Sequence, residues 1–395
     1  MQIANRVQQV EKSETLRVKE KALELRRQGV DVIDLTAGEP DFPTPSHICA
    51  AGEAAIRDGF TKYTASAGIP ELRQAIVDKL SRENQLQYQP EQIIVTVGAK
   101  PAIITALWAI LNPGDEVIIP APYWVSYPQQ VRMADGVPVI VDTRDSGFKI
   151  TPQALENHIT PRTRAFLFNS PCNPTGVVYT PDELQALADV LKGRNIWILS
   201  DEIYEKIIFD DQVHRSIAGY DGLYHQTIVI NGVSKAYAMT GWRIGYAAGP
   251  TEIIQAMNRL QSHFTTPPSI SQKAALVALT GDQSPVEEMR RRFQKRRDIL
   301  VDGLKQIPGL SFVYPEGAFY LFVNVSGLFG RKWNRGVLKT SLDVCDYLIE
   351  TQHLVAVPGK GFGAPDYIRL SFATSEAVLE KAIVALKQAV QALNQ

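Results

Sequence analysis

Between about residues 90 and 250, short apolar runs alternate with stretches of helical periodicity. The segments Ile93-Ile94-Val95-Thr96-Val97, Glu116-Val117-Ile118-Ile119 and Pro138-Val139-Ile140-Val141 read as strands. So do Ala165-Phe166-Leu167-Phe168, Asn195-Ile196-Trp197-Ile198-Leu199 and the run 227–230. Residues 101–111 and 181–191 read as helices, the first with proline in its first turn and the second with Thr180 as N-cap. A late strand is punctuated by Gly249-Pro250. This rhythm predicts an α/β fold: a mostly parallel central sheet with helices on both faces.

The two chain ends read differently. Residues 14–28 form an amphipathic pattern, with Leu16, Ala22, Leu23 and Leu25 apolar and Gly29 as the stop. From about 283 a long charged helix (285–306) leads into the strand-like segments 311–314 and 318–323. Helices at 341–350 and 375–393 follow. The expected division is a segment 1–42 that joins a C-terminal part 283–395 in a smaller α+β domain, beside a larger domain 43–282.

Composition narrows the class. A chain of 395 residues can bury roughly three quarters of its unfolded surface and needs no staples. Its 41 Lys+Arg nearly balance 42 Asp+Glu, which argues against nucleic acid or an anionic membrane as partner. The one basic cluster, Arg290-Arg291-Arg292 with Lys295-Arg296-Arg297, is read as a solvated helix face or a contact to another subunit. Three cysteines without paired spacing suggest neither a disulfide framework nor a metal site, and fit a reducing cytoplasm. Residues 1–25 carry no apolar core of signal-peptide length, and no apolar run is long enough for a membrane span.

Several residues carry candidate chemistry. Lys235 lies in a Ser/Gly turn just past a strand end, where pockets form, and Arg243 can hold an anion on the same rim. A buried lysine with a lowered pKa forms Schiff bases; the bland reading is a solvated Lys/Arg pair. Gly98-Ala99-Lys100 lies between a strand and a helix read as starting at Pro101, so its backbone amides can attract phosphate. It is not a GxGxxG fingerprint, so a nucleotide-dependent oxidoreductase is poorly supported; an ordinary βα turn is the alternative. Asp201 ends a strand and can pair with a ring nitrogen, or cap a helix. Asn173 can donate from a Pro-flanked turn, or form that turn. Trp124 can stack on a ring or belong to the core. Arg369 can hold a carboxylate bidentately, and Gly38 permits close backbone approach or merely makes a surface turn.

Six segments occur in one order over nearly the whole chain. They include Leu35-Thr36-Ala37-Gly38-Glu39-Pro40-Asp41-Phe42, Asn169-Ser170-Pro171-Cys172-Asn173-Pro174-Thr175-Gly176, Ser200-Asp201-Glu202-Ile203-Tyr204-Glu205, the run 231–246 and Arg369-Leu370-Ser371-Phe372-Ala373. Together they resemble the fold-type I, pyridoxal-phosphate-dependent class I aminotransferases, in particular the bacterial aspartate aminotransferase branch. The resemblance implies the PLP-transferase fold and a Schiff base between pyridoxal 5'-phosphate and Lys235. It implies a phosphate site of Gly98, Ala99, Lys100, Arg243 and Ser234, and ring contacts from Asp201, Asn173, Tyr204 and Trp124. Such enzymes often place a serine three residues before the lysine. Here that position is Gly232, and Ser234 is the candidate substitute. Tyr63 resembles the tyrosine that reaches the neighbouring subunit's phosphate, which implies a homodimer with shared sites.

For the substrate, the resemblance implies an α-carboxylate clamp at Arg369, backbone contact at Gly38, and a second carboxylate near Lys100, with Thr15 in a mobile N-terminal helix. Trp124 and Asn173 would also touch the amino-acid and 2-oxo-acid substrates. The implied reaction is ping-pong amino transfer, aspartate + 2-oxoglutarate = oxaloacetate + glutamate. The same branch also transfers to prephenate, and PLP-dependent lyases share the scaffold. PLP-sensing transcription regulators carry this fold behind a DNA-binding domain, for which a fold starting in the first few dozen residues leaves no room.

Overall fold

The computed structural model describes residues 5–8, 10 and 14–393. Seven strands form the central sheet: β1 (Ile93–Thr96), β2 (Glu116–Ala121), β3 (Val137–Asp142), β4 (Thr163–Asn169), β5 (Trp197–Asp201), β6 (Thr227–Gly232) and β7 (Gly245–Ala248). Their order is β1-β7-β6-β5-β4-β2-β3, parallel except for β7, which runs antiparallel to both β1 and β6. β1, β6 and β7 are buried at every position, which is why their sequences read as unbroken apolar or small-residue runs rather than alternating ones. The helix Pro181–Leu191 starts where the sequence places it. Thr180 Oγ1 accepts from the Glu183 amide at 3.2 Å, and Glu183 Oε2 accepts from the Thr180 amide at 2.7 Å.

The late part of the chain builds a second, antiparallel sheet from β8 (Ser311–Phe312), β9 (Tyr320–Asn324), β10 (Val357–Pro358) and β11 (Tyr367–Ser371), in the order β10-β11-β9-β8. Ile33–Asp34 pairs in parallel with Leu354–Val355, which ties the early chain to the late one. One apolar cluster accordingly joins Leu35 to Phe293, Leu300, Tyr320, Leu370 and Leu386.

Two expectations need correction. The helix read as starting at Pro101 spans Ala99–Ile110, so Ala99 and Lys100 are its first residues and Gly98 its N-cap. Proline in the first turn has no intrahelical N–H to lose, so it does not mark the start. The basic cluster is not a solvated face at Arg296 and Arg297, whose side chains are 2% and 1% exposed. Arg296 donates to both oxygens of Asp41 at 2.7 and 2.9 Å, and Arg297 pairs with Asp210 and Asp298. Their guanidinium carbons lie over the rings of Phe42, Phe209 and Tyr314 at 4.7, 4.9 and 4.6 Å, so they are buried with their charge paired.

Candidate active site

The carboxyl ends of β1, β4, β5 and β6 converge on one cavity of about 460 Å³, as expected for an open α/β sheet. Lys235 follows β6. Burial lowers its pKa to about 8, against the opposing pull of the Glu39 charge, and its Nζ donates to the Gly38 carbonyl at 2.6 Å. The rings of Tyr204 and Phe319 lie 5.8 and 5.9 Å from that nitrogen.

Asp201 is the last residue of β5 and is 4% exposed. The chain leaves it as a turn rather than a helix, so the capping alternative is not met. Burial raises its pKa to about 6, although the Tyr127 hydroxyl donates to Oδ2 at 2.7 Å and the Ile203 amide to Oδ1 at 3.3 Å. On β11 of the second sheet, Arg369 is 3% exposed and its pKa is lowered by burial. It donates to Asn173 Oδ1 at 3.0 Å and the Thr36 carbonyl at 3.1 Å, while its buried Nε has no partner. A guanidinium lying 4.3 Å from the Tyr320 ring, with an orphaned N–H, is prepared for a carboxylate. Asn173 is fixed in turn by Asn169, whose Oδ1 accepts from its amide at 2.9 Å.

The opposite end of the cavity is a cradle of small residues. Gly98 has φ 96°, and a Cβ there would meet Arg243 Nη2 at 2.6 Å. A Cβ on Gly245 would stand 2.4 Å from the Ala99 nitrogen. Gly98 makes no side-chain cap, so the first amides of Ala99–Ile110 are left to an anion, with Arg243 beside them. Arg243 is steered by bonds to the Thr240 and Val97 carbonyls at 2.7 and 3.2 Å. A side chain at Gly232 would meet Gly245 Cα and the Ile244 carbonyl at 2.9 Å, so no serine fits there; Ser234 lies buried on the cavity wall. Lys100 Nζ stands over the Trp124 ring at 4.8 Å, its pKa lowered by burial first and by Arg243 second.

Gly38, Ala99, Lys100, Trp124, Asn173 and Asp201 thus share this cavity with Tyr204, Ser234, Lys235, Arg243 and Arg369. A Cβ on Gly38 would reach toward the Tyr320 hydroxyl, 3.9 Å away. Tyr63 does not line the cavity: it is 97% exposed, in a separate groove between residues 61–64 and 262–269. Thr15 falls in the helix Glu14–Arg27, and its side chain lies outside the described residues. Sequence reasoning missed Tyr127, Asn169, Glu39 and Tyr320. The hydroxyl of Tyr320 is 3.0 Å from that of Tyr204. Asn169 and Glu39 sit inside the quoted segments and Tyr127 three residues after Trp124, whereas Tyr320 gave no local signal.

A lysine past the end of β6, a buried acid at the end of the neighbouring strand, a helix start lined by small residues and a buried arginine thus meet in one cavity. The chain belongs to the aminotransferase class I and II family, whose model matches residues 30–386. It is 50% identical over 395 residues to an aspartate aminotransferase of Geobacillus stearothermophilus, covering 99% of this chain and 100% of that protein. It is 49% identical over 390 residues to an aspartate/prephenate aminotransferase of Cereibacter sphaeroides, covering 98% of each. The solved aspartate aminotransferase of Thermus thermophilus with maleate superposes with a TM-score of 0.93 at 45% identity, covering 98% of this chain and 100% of that one.

Proposed function

We propose that this chain is a pyridoxal-phosphate-dependent aminotransferase that moves the amino group between aspartate or glutamate and 2-oxo acids. The observation that carries the reading is the half-buried Lys235 amine, its pKa lowered, which shares one cavity with Asp201 and Arg369. The cofactor fits the residues present. The glycine-lined helix start and Arg243 suit its phosphate, with Ser234 beside them. Asp201 suits its ring nitrogen, Asn173 and Tyr204 its phenolic oxygen, and Trp124 its ring face. When bound, pyridoxal phosphate supplies a carbonyl for amines and a protonated ring that accepts the electron pair left at the substrate Cα.

The chain's own residues do the rest. Arg369 binds the α-carboxylate with two parallel N–H donors, the unpartnered Nε among them. Lys100 receives the second carboxylate from above Trp124. Lys235 Nζ, poised near neutral pH, takes the proton from Cα and passes it on. Gly38 and the segment around it cover the cavity, and Thr15 would approach from the N-terminal helix. The maleate of the Thermus thermophilus structure, itself a dicarboxylate, supports an acidic substrate.

The same reading assigns 43–282 to the unit that holds the cofactor. Residues 1–42 with 283–395 form a smaller unit that closes on substrate. It makes the working form a homodimer in which the exposed Tyr63 reaches the partner's phosphate site. A second acceptor, prephenate, is favoured by the name of the Cereibacter sphaeroides relative. Among the described residues no helix is long and apolar enough to cross a membrane. The test is oxaloacetate formation from aspartate with 2-oxoglutarate, then with prephenate, by purified protein supplied with the cofactor. Cofactor binding without turnover of aspartate on either acceptor would point to another reaction on the same scaffold.

A further inference from the structure

Asp201 and Tyr204 stand on the turn that leaves β5. Two other residues of that turn, Glu202 and Glu205, are buried in the protein. Glu202 is 1% exposed. Its Oε1 accepts from the Ser200 and Ser216 hydroxyls at 2.8 and 2.6 Å, and its Oε2 lies 2.9 Å from His214 Nε2. Glu205 is held by the buried Lys79 ammonium and by Asn84 Nδ2 at 2.7 Å. Glu202, Glu205 and His214 each offer one ligand atom within 4.8 Å of the others. Lys79 argues against a metal there: a divalent ion would meet a fixed positive charge already bonded to Glu205.

Two buried carboxylates so close are unfavourable unless paired, and His214 Nδ1 is itself buried without a partner. An apolar turn would be cheaper for stability alone, so the cluster points to what the turn carries. The backbone is pinned at the same place. The Glu202 amide donates to Ile230 at 2.8 Å and the Glu205 amide to Glu202 at 2.9 Å. The Ile203 amide, between them, sets the rotation of the Asp201 carboxylate.

We propose that Glu202 and His214 are positioning residues for the cofactor ring, locking the turn so that Asp201 and Tyr204 meet it in fixed orientation. This rests on the pyridoxal-phosphate reading above. His214→Leu removes the partner of Glu202 Oε2 and leaves the two serine contacts to Oε1, while His214→Gln keeps a donor. With His214→Leu the Kd for pyridoxal phosphate should rise about tenfold, the cost of one charge-assisted contact. The induced circular dichroism of the bound cofactor should weaken, and the Kd for inorganic phosphate should stay unchanged. His214→Gln should restore both affinity and signal. Glu202→Gln, of the same size, should behave as His214→Leu and carries the test if the latter does not fold. Unchanged affinity and dichroism in His214→Leu or Glu202→Gln, an equal loss of inorganic phosphate, or equal behaviour of Leu and Gln at 214 overturns the proposal. Wild-type protein that binds no pyridoxal phosphate overturns the function itself, whereas wild-type binding with unchanged variants overturns only the positioning role.

Discussion

Asp201→Asn should make the cofactor-free protein more stable at alkaline pH while removing its activity. Burial moves the Asp201 pKa from 3.8 to about 6. The folded state therefore holds this proton more tightly than the unfolded chain. The stability it contributes is complete below pH 3.8 and is lost as pH rises through about 6. Keeping the carboxylate charged above that range costs about 3 kcal/mol. Asparagine removes this cost and can still accept from the Tyr127 hydroxyl. Its amide then faces the Ile203 N–H, and the loss of that long 3.3 Å contact costs about 1 kcal/mol. The variant should thus be about 2 kcal/mol more stable than wild type near pH 8, with the difference vanishing near about pH 4.5. Urea unfolding of both cofactor-free proteins across that range measures it. A variant less stable than wild type at every pH would refute the account of a buried, costly charge. Full activity per folded molecule would remove Asp201 from the chemistry.

Lys235→Ala should abolish turnover while pyridoxal phosphate still binds non-covalently, and borohydride reduction of the wild type should label Lys235; a label on another lysine would reassign the site. Lys100→Met should lower kcat/KM for aspartate by about ten- to a hundredfold and spare a neutral amino acid, since it removes one charge-assisted contact; an equal fall for both substrates would mean that Lys100 serves the phosphate. Mixing Lys235→Ala with Tyr63→Phe protein should restore activity, because each hybrid dimer then contains one intact site; absence of any gain on mixing, with subunit exchange verified, counts against sharing.

The legible part of this fold was the part whose signal is local. β1, β6 and the helix Pro181–Leu191 announce themselves through buried runs and a capping box. The helix Pro70–Asn84 does not, because its buried Lys79 looks like a surface residue until Glu205, 126 positions away, closes on it. Arg296 and Arg297 misled for the same reason: their partners Asp41 and Asp210 are remote in sequence. Asp201, Asn173, Tyr204 and Trp124, named from motifs, line one cavity. Tyr127 and Tyr320 escaped because a tyrosine that orients a carboxylate or another hydroxyl has no pattern of its own.

Charge explains why the cavity suits the substrates proposed for it. Four bases line it, Lys100, Lys235, Arg243 and Arg369, against two acids, Asp201 and Glu39. Burial lowers the pKa of Lys100, Lys235 and Arg369 alike, although the Glu39 charge opposes the shift at Lys235. A phosphate at the helix start beside Arg243, an α-carboxylate on Arg369 and a second carboxylate near Lys100 would each pair one of the cavity's cations. The cations are also separated rather than pooled. Arg243 is tied to Thr240 and Val97, Lys100 stands on Trp124, and Arg369 is stacked on Tyr320. Separation lets three anionic groups bind at once without competing for one site. On the proposed reading a neutral amino acid would satisfy only the first two, leaving Lys100 partly desolvated and unpaired, a residual cost that would favour acidic substrates.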